Sequence, residues 1–197
     1  MENKKIDITS TAIEKGIDLI GGFIEKLVGS SLEEAGLYLS EKVKIRRLNN
    51  QIKIFSDAKK IAEQNNITIK QINLKTIVPL LEFSSLEEDE TLQKKWSNLI
   101  VNFSDSSKVF ESSIFPFILN QISTNELKEL ERVKDVGAFK TTELNLKASE
   151  ISNITRLGLI GQVGDSQSFG GGKFVIPTFT FSQITALGVE FVNCCSI

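Results

Sequence analysis

The strongest constraint on this chain is the spacing of apolar residues near its start. Ile13, Ile17, Ile20, Ile24 and Leu27 follow one another at alternating four- and three-residue steps. That spacing places all five on one face of a helix from Thr11 to Val28, a face that must be buried against something. Gly29 reads as the stop. "SSLEE" follows, with Ser30 to Glu33 and Ser31 to Glu34 both at capping-box spacing, so a second helix is expected to start near Leu32. Leu48, Ile52 and Phe55 continue an apolar face until "EQNNIT", Glu63 to Thr68, breaks it.

Helical signals persist well past the middle of the chain. "LKTIVPLLEF" reads as a short buried helix bent or begun near Pro79. "SSLEEDETLQKKWSNLIVNF" reads as a longer one, with Ser84 or Ser85 as its cap and acids in its first turn, where the helix dipole favours them. Leu92, Trp96, Leu99 and Phe103 form its buried stripe, which makes Trp96 a core residue rather than a stacking platform. Further helices are expected around "SIFPFILNQI" and "TNELKELERV". After Gly137 the pattern changes. Two short helices, the second carrying Ile151, Ile154 and Leu157 and ending at Gly158, precede two strands, Leu159 to Val163 and Lys173 to Phe181, around "GDSQSFGGG". "SQITALGVEFV" closes as a helix. The expected fold is mainly α, with a multi-helix body and a small C-terminal winged-helix-like α+β module. The expected segments are an amphipathic helix over 1–30, a helical body over 31–136 and the module over 137–197.

Several chemistries are excluded. Histidine is absent, so Ser-His-Asp, Cys-His and His-metal machinery are all missing. The acids Glu87, Glu88, Asp89 and Glu90 are consecutive and point in different directions around a helix, which suits capping better than holding Mg²⁺ or Ca²⁺. "GGGKF", Gly170 to Phe174, departs from a phosphate loop at both Gln167 and Phe174 and reads as a wing tip. No catalytic residue, cofactor or metal is therefore expected. Cys194 and Cys195 are adjacent and cannot form a CxxC pair, consistent with a reducing cytoplasm. No signal-peptide h-region or membrane-spanning run is found, so a cytoplasmic location is expected, with the inner face of the membrane as an alternative.

Two sets of residues stand out as candidate contact sites. Between Glu41 and Lys60 seven bases face two acids, a balance of +5, although the whole chain carries −2. Lys42, Arg46, Lys53 and Lys60 lie within about 40° of one another on a helix and form a stripe suited to an anionic partner. The second set is glycine. Gly22, Gly29 and Gly36 recur at sevens, and Gly21 adjoins the first, so all four are candidates for close helix contact despite a cost of roughly 1 kcal/mol each within a helix. From Thr141 to Ile197 three bases meet four acids, a balance of −1 that argues against specific DNA binding by the module.

In content and order, "GLYLSEKVKIRRLNN", "IVPLLEFSSLEEDETLQKKWSNLIVNF", "ISNITRLGLI" and "ITALGVEFVNCC" resemble the Abi-alpha proteins, a bacterial family linked to abortive infection. The resemblance begins near Gly29, and its most specific part is the block of bend, acidic turn and Trp. It implies phage defence by a small, mainly helical protein, and it supplies no catalytic motif. The expected function is therefore a non-enzymatic defence component working through protein contacts or self-association. Two alternatives stand beside it: a membrane-perturbing effector using the N-terminal helix, and a DNA-binding regulator using the module.

Overall fold

A computed structural model describes residues 3–28, 45–163 and 181–196. Among these the protein is mostly helical, with one two-stranded antiparallel sheet. The helices are α1 (Asn3–Val28), α2 (Ile45–Gln64), α3 (Leu74–Ser84), α4 (Glu90–Ser104), α5 (Phe115–Leu119), α6 (Thr124–Val133), α7 (Ala148–Arg156) and α8 (Ala186–Cys194); the strands are β1 (Ile160–Val163) and β2 (Phe181–Ile184). The expected helix start near Leu32, the "GDSQSFGGG" loop and most of the expected strand from Lys173 lie outside the described residues. So do Gly29, Gly36 and Lys42, together with the side chain of Arg46.

The chain forms two compact units, Met1–Gln121 with Cys194–Ile197, and Ile122–Asn193. In the first, α2 packs against both α1 and α4. Ile20, Phe23, Ile24, Leu27 and Val28 of α1 are buried, as are Ile54, Phe55, Ala58 and Ala62 of α2. The stripe expected on α4 is buried throughout, with Trp96, Leu99 and Phe103 fully enclosed. Helix ends find partners across the unit, because their last carbonyls have none within the helix. The Leu27 carbonyl accepts from Ile72 N (2.9 Å) and that of Val28 from Gln71 Nε2 (3.1 Å). At the end of α3, the Leu81 carbonyl accepts from Gln51 Nε2 (2.6 Å) and the Ser85 carbonyl from Asn50 Nδ2 (3.1 Å).

The cap of α4 differs from expectation. Asp89 is the N-cap, its carboxylate accepting from Thr91 N and Leu92 N, while Ser84 and Ser85 finish α3. Ser85 is occupied there: its hydroxyl donates to the Glu82 carbonyl and accepts from Arg47 Nε. Pro79 sits inside α3 rather than at its start. The tail of the chain is held by α4, since Asn98 Nδ2 donates to the Cys195 carbonyl (3.0 Å) and Asn102 Nδ2 to that of Cys194 (2.9 Å).

In the second unit, Ser123 and Glu126 form a capping box at the start of α6. The same Glu126, buried, accepts from Asn153 Nδ2 of α7 at 2.9 Å and so ties the two helices together. Helix α6 thus belongs with the C-terminal unit, ahead of the change in sequence pattern at Gly137. Helix α7 ends at Gly158, whose φ of +72° is the left-handed conformation that glycine adopts without penalty. Strand β1 pairs with β2 from Ile160↔Ile184 to Val163↔Phe181, and Phe139 forms a further antiparallel bridge to Ser182 on the free side of β2. A single turn of 3-10 helix, Thr141–Glu143, lies between that bridge and α7.

Candidate functional site

Between α1 and α2 the first unit holds a cleft of about 640 Å³. Asp18, Leu19, Gly22, Phe23 and Lys26 line one wall, at spacings that put them on one side of α1. Lys59, Ala62 and Glu63 of α2 line the other. Asn66, Ile67 and Ile69 close the end, positioned by the way α2 stops. Asn66 takes φ +52°, its N–H donates to the Glu63 carbonyl and the Ile67 N–H to that of Ala62, which together make a Schellman turn. That turn carries Ile67 back toward α1. The cleft has a buried apolar floor in Phe23 and Ala62 and a half-exposed lip in Leu19. Lys59 Nζ donates to the Leu19 carbonyl at 2.9 Å and ties the two walls.

Glycine shapes this cleft in two opposite ways. At Gly16 an added Cβ would lie 2.9 Å from Ile52 Cγ2, closer than ordinary contact, so α1 and α2 pack closely there. At Gly21 and Gly22 an added Cβ would meet nothing within 4 Å. The close contact expected of those two is therefore not made within the described residues; Gly22 instead leaves the wall of the cleft low. Gly16 was not singled out in the sequence, although it lies four residues before Ile20 on the same apolar face, which is a readable signal.

Of the basic stripe, Lys53 and Lys60 are the members whose side chains are described, and both are paired within the chain. Lys53 pairs with Glu90 (3.2 Å) and Lys60 with Asp57 (3.3 Å). A shallower groove of about 450 Å³ runs past these two pairs, with Gln64 and Lys94 on its rim. Exposed pairs of this kind are each worth about 1 kcal/mol or less, so they temper the stripe's charge without fixing a site. The acids ahead of α4 act as caps: the Glu87 carboxylate accepts from Glu88 N and Asp89 N, and Asp89 caps the helix. Among the described residues no group of three or more His, Cys, Asp or Glu is gathered as metal ligands would be.

Two carboxyls titrate below their ordinary range. The Ser107 hydroxyl, 2.7 Å away, is the main cause at Asp105, with the Ser107 N–H and Lys108 adding to it against the effect of burial. At Glu129 the main cause is Arg132, followed by the N–H of Asn145. Both hold loops in place.

The described residues thus define a small, mainly helical protein with an interhelical cleft rimmed by both signs of charge. No helix among them is long and apolar enough to cross a membrane. Residues 40–168 match the model of the abortive infection alpha family, and the chain belongs to that family. No curated protein and no solved structure matches it. Membership points to a role in abortive infection, the defence of a bacterial population against phage.

Proposed function

We propose that the protein contributes to abortive infection from the cytoplasm, without chemistry of its own, by holding a segment of another protein in the cleft between α1 and α2. The observation that carries this reading is the composition of the cleft. Its floor is apolar, while its rim sets Asp18 and Glu63 against Lys26 and Lys59. A balanced rim gives no net attraction for a phosphate backbone, but it can pair with the mixed charges of a peptide segment whose apolar side chain enters the floor.

A related reading concerns the second unit. We read the order α6, the Phe139 bridge, the 3-10 turn, α7, β1 and β2 as winged-helix-like. Its local charge balance of −1 favours a structural or protein-binding role over specific DNA recognition. On α7, the exposed Arg156 is tied to Asn153 by a 2.7 Å bond, which supports the same view.

The test fills the cleft. Gly22→Phe places a ring into open space, so the fold should survive, and cells carrying it should lose protection in a plaquing assay. A protein co-purifying with the wild type from infected cells should be lost with it. Gly22→Ala should keep protection while adding roughly 1 kcal/mol of helix stability. Full protection by a folded Gly22→Phe protein would overturn the proposal.

A further inference from the structure

The segment joining α4 to α5 exposes an unusual run of apolar side chains. Val109 is 98% exposed, and Phe110, Ile114 and Phe117 are each at least 40% exposed. Isolated exposed apolar residues are ordinary, but four within nine positions, three in the connecting segment and Phe117 in α5, form a patch. The patch stands on a rigid base. Phe110 packs against Phe103 and Phe115 at centroid distances of 6.4 and 5.5 Å, and Phe117 meets Phe83 edge-on at 5.1 Å. Val109 is thus held out at a tip whose foot is fixed in the core.

Three lysines lie near the foot of that tip, two of them with their ammonium groups already engaged. Lys108 precedes Val109 and is anchored by Asn102 and Asp105. Lys70 donates to the Lys108 carbonyl. Lys75 lies in the first turn of α3, two residues beyond Asn73, whose N–H is held by the Glu111 carboxylate at 3.0 Å. Of the two acids nearby, Asp105 is buried and Glu111 is engaged with the backbone.

From this arrangement we infer that the Val109–Phe110 tip docks on an anionic phospholipid surface, with Val109, Phe110 and Ile114 entering the headgroup boundary, Lys75 lying over the phosphates, and the Lys70 and Lys108 ammonium groups exchanging their internal partners for them. A protruding apolar tip with long cationic side chains near its foot fits a deformable anionic interface, because the lysine stems reach the phosphates while the tip is buried. A second copy of the chain fits less well, since a two-fold contact would set lysines against lysines. A soluble polyanion would leave the apolar tip in water.

The test is flotation of the full chain with vesicles of phosphatidylglycerol and phosphatidylcholine, or of phosphatidylcholine alone. Wild type is expected to float with the anionic vesicles and not with the neutral ones. Val109→Asp changes a side chain almost wholly in solvent and should keep its fold, yet lower partitioning at least tenfold. Lys75→Glu should lower it at least fivefold, by replacing one surface cation with an anion. The inference is overturned if the wild type stays with the dense fraction, or if Val109→Asp floats as well as wild type. It is equally overturned if Val109→Asp instead dissolves a concentration-dependent dimer, or if heparin binds the two proteins alike and vesicles bind neither.

Discussion

Replacing Gly188 by Ala tests the packing of the second unit most severely. Gly188 is buried in the first turn of α8, where an added Cβ would lie 2.3 Å from the Leu159 carbonyl oxygen and 2.7 Å from Ile184 Cγ1. Ordinary contact begins at 3.4 Å, so the helix and the start of β1 must part by about 1 Å. That carbonyl also accepts from Thr185 N at 3.0 Å, and the Thr185 hydroxyl in turn accepts from Gly188 N, so the parting strains the cap of α8 as well. Overpacking typically costs about 1–3 kcal/mol, and a weakened hydrogen bond about 1 kcal/mol more. Against this stands a gain of roughly 1 kcal/mol in helix propensity. The expected net loss is about 2 kcal/mol, a fall on the order of 10 °C in the melting of a unit this size. Circular dichroism melts of Gly188→Ala beside Gly21→Ala provide the check, because Gly21 has open space around it and Ala there should stabilise. A Gly188→Ala protein that melts no lower than wild type would refute the argument.

Two further outcomes are expected. Replacing Asn98 and Asn102 together by Ala leaves the tail carbonyls without their amide donors, at roughly 1–3 kcal/mol for each buried group. The fully buried Cys195 thiol should then react with a thiol reagent at least tenfold faster, and unchanged labelling would show that the tail is held by other means. Ser107→Ala removes the main cause of the depressed Asp105 pKa, so its carboxyl resonance in a pH titration should move up toward the ordinary value of 3.8. Because the folded pKa is the lower one, the stability lost in this variant is present above the unfolded carboxylate value and disappears as pH falls through the folded pKa.

How much could be read from the sequence depended on whether the signal was local. The stripe Leu92, Trp96, Leu99, Phe103 and the stop of α2 at "EQNNIT" were legible because period and turn chemistry reside in neighbouring residues. The cap of α4 was not. Ser84, Ser85 and Asp89 all qualify as caps, and what assigns Ser85 to the preceding helix is Arg47 and Asn50, more than thirty residues away. The glycines show the same divide. A spacing of seven pointed to Gly22, with Gly21 beside it, whereas the register of the apolar face pointed to Gly16, and the placement of Ile52 shows that Gly16 is the one against the partner helix. The charged stripe was read from one helix, and Glu90, the partner of its Lys53, stands on another. The cleft escaped the sequence entirely, being made by two helices whose juxtaposition no local pattern encodes.

The clamp that Asn98 and Asn102 place on Cys194 and Cys195 bears on how the chain is made. The first unit is completed by residues that lie beyond the whole of Ile122–Asn193. A ribosome delivers residues in order, and domains generally fold as they emerge, the N-terminal one first. Here the first unit cannot be completed before the second has been synthesised. The inner unit is fully synthesised while the outer one still lacks the strand of backbone that its α4 amides are waiting to bind. Until then those amides face water and the seat of Cys195 is uncovered, so the first unit closes its core only with the last-translated residues, even though its helices were translated first.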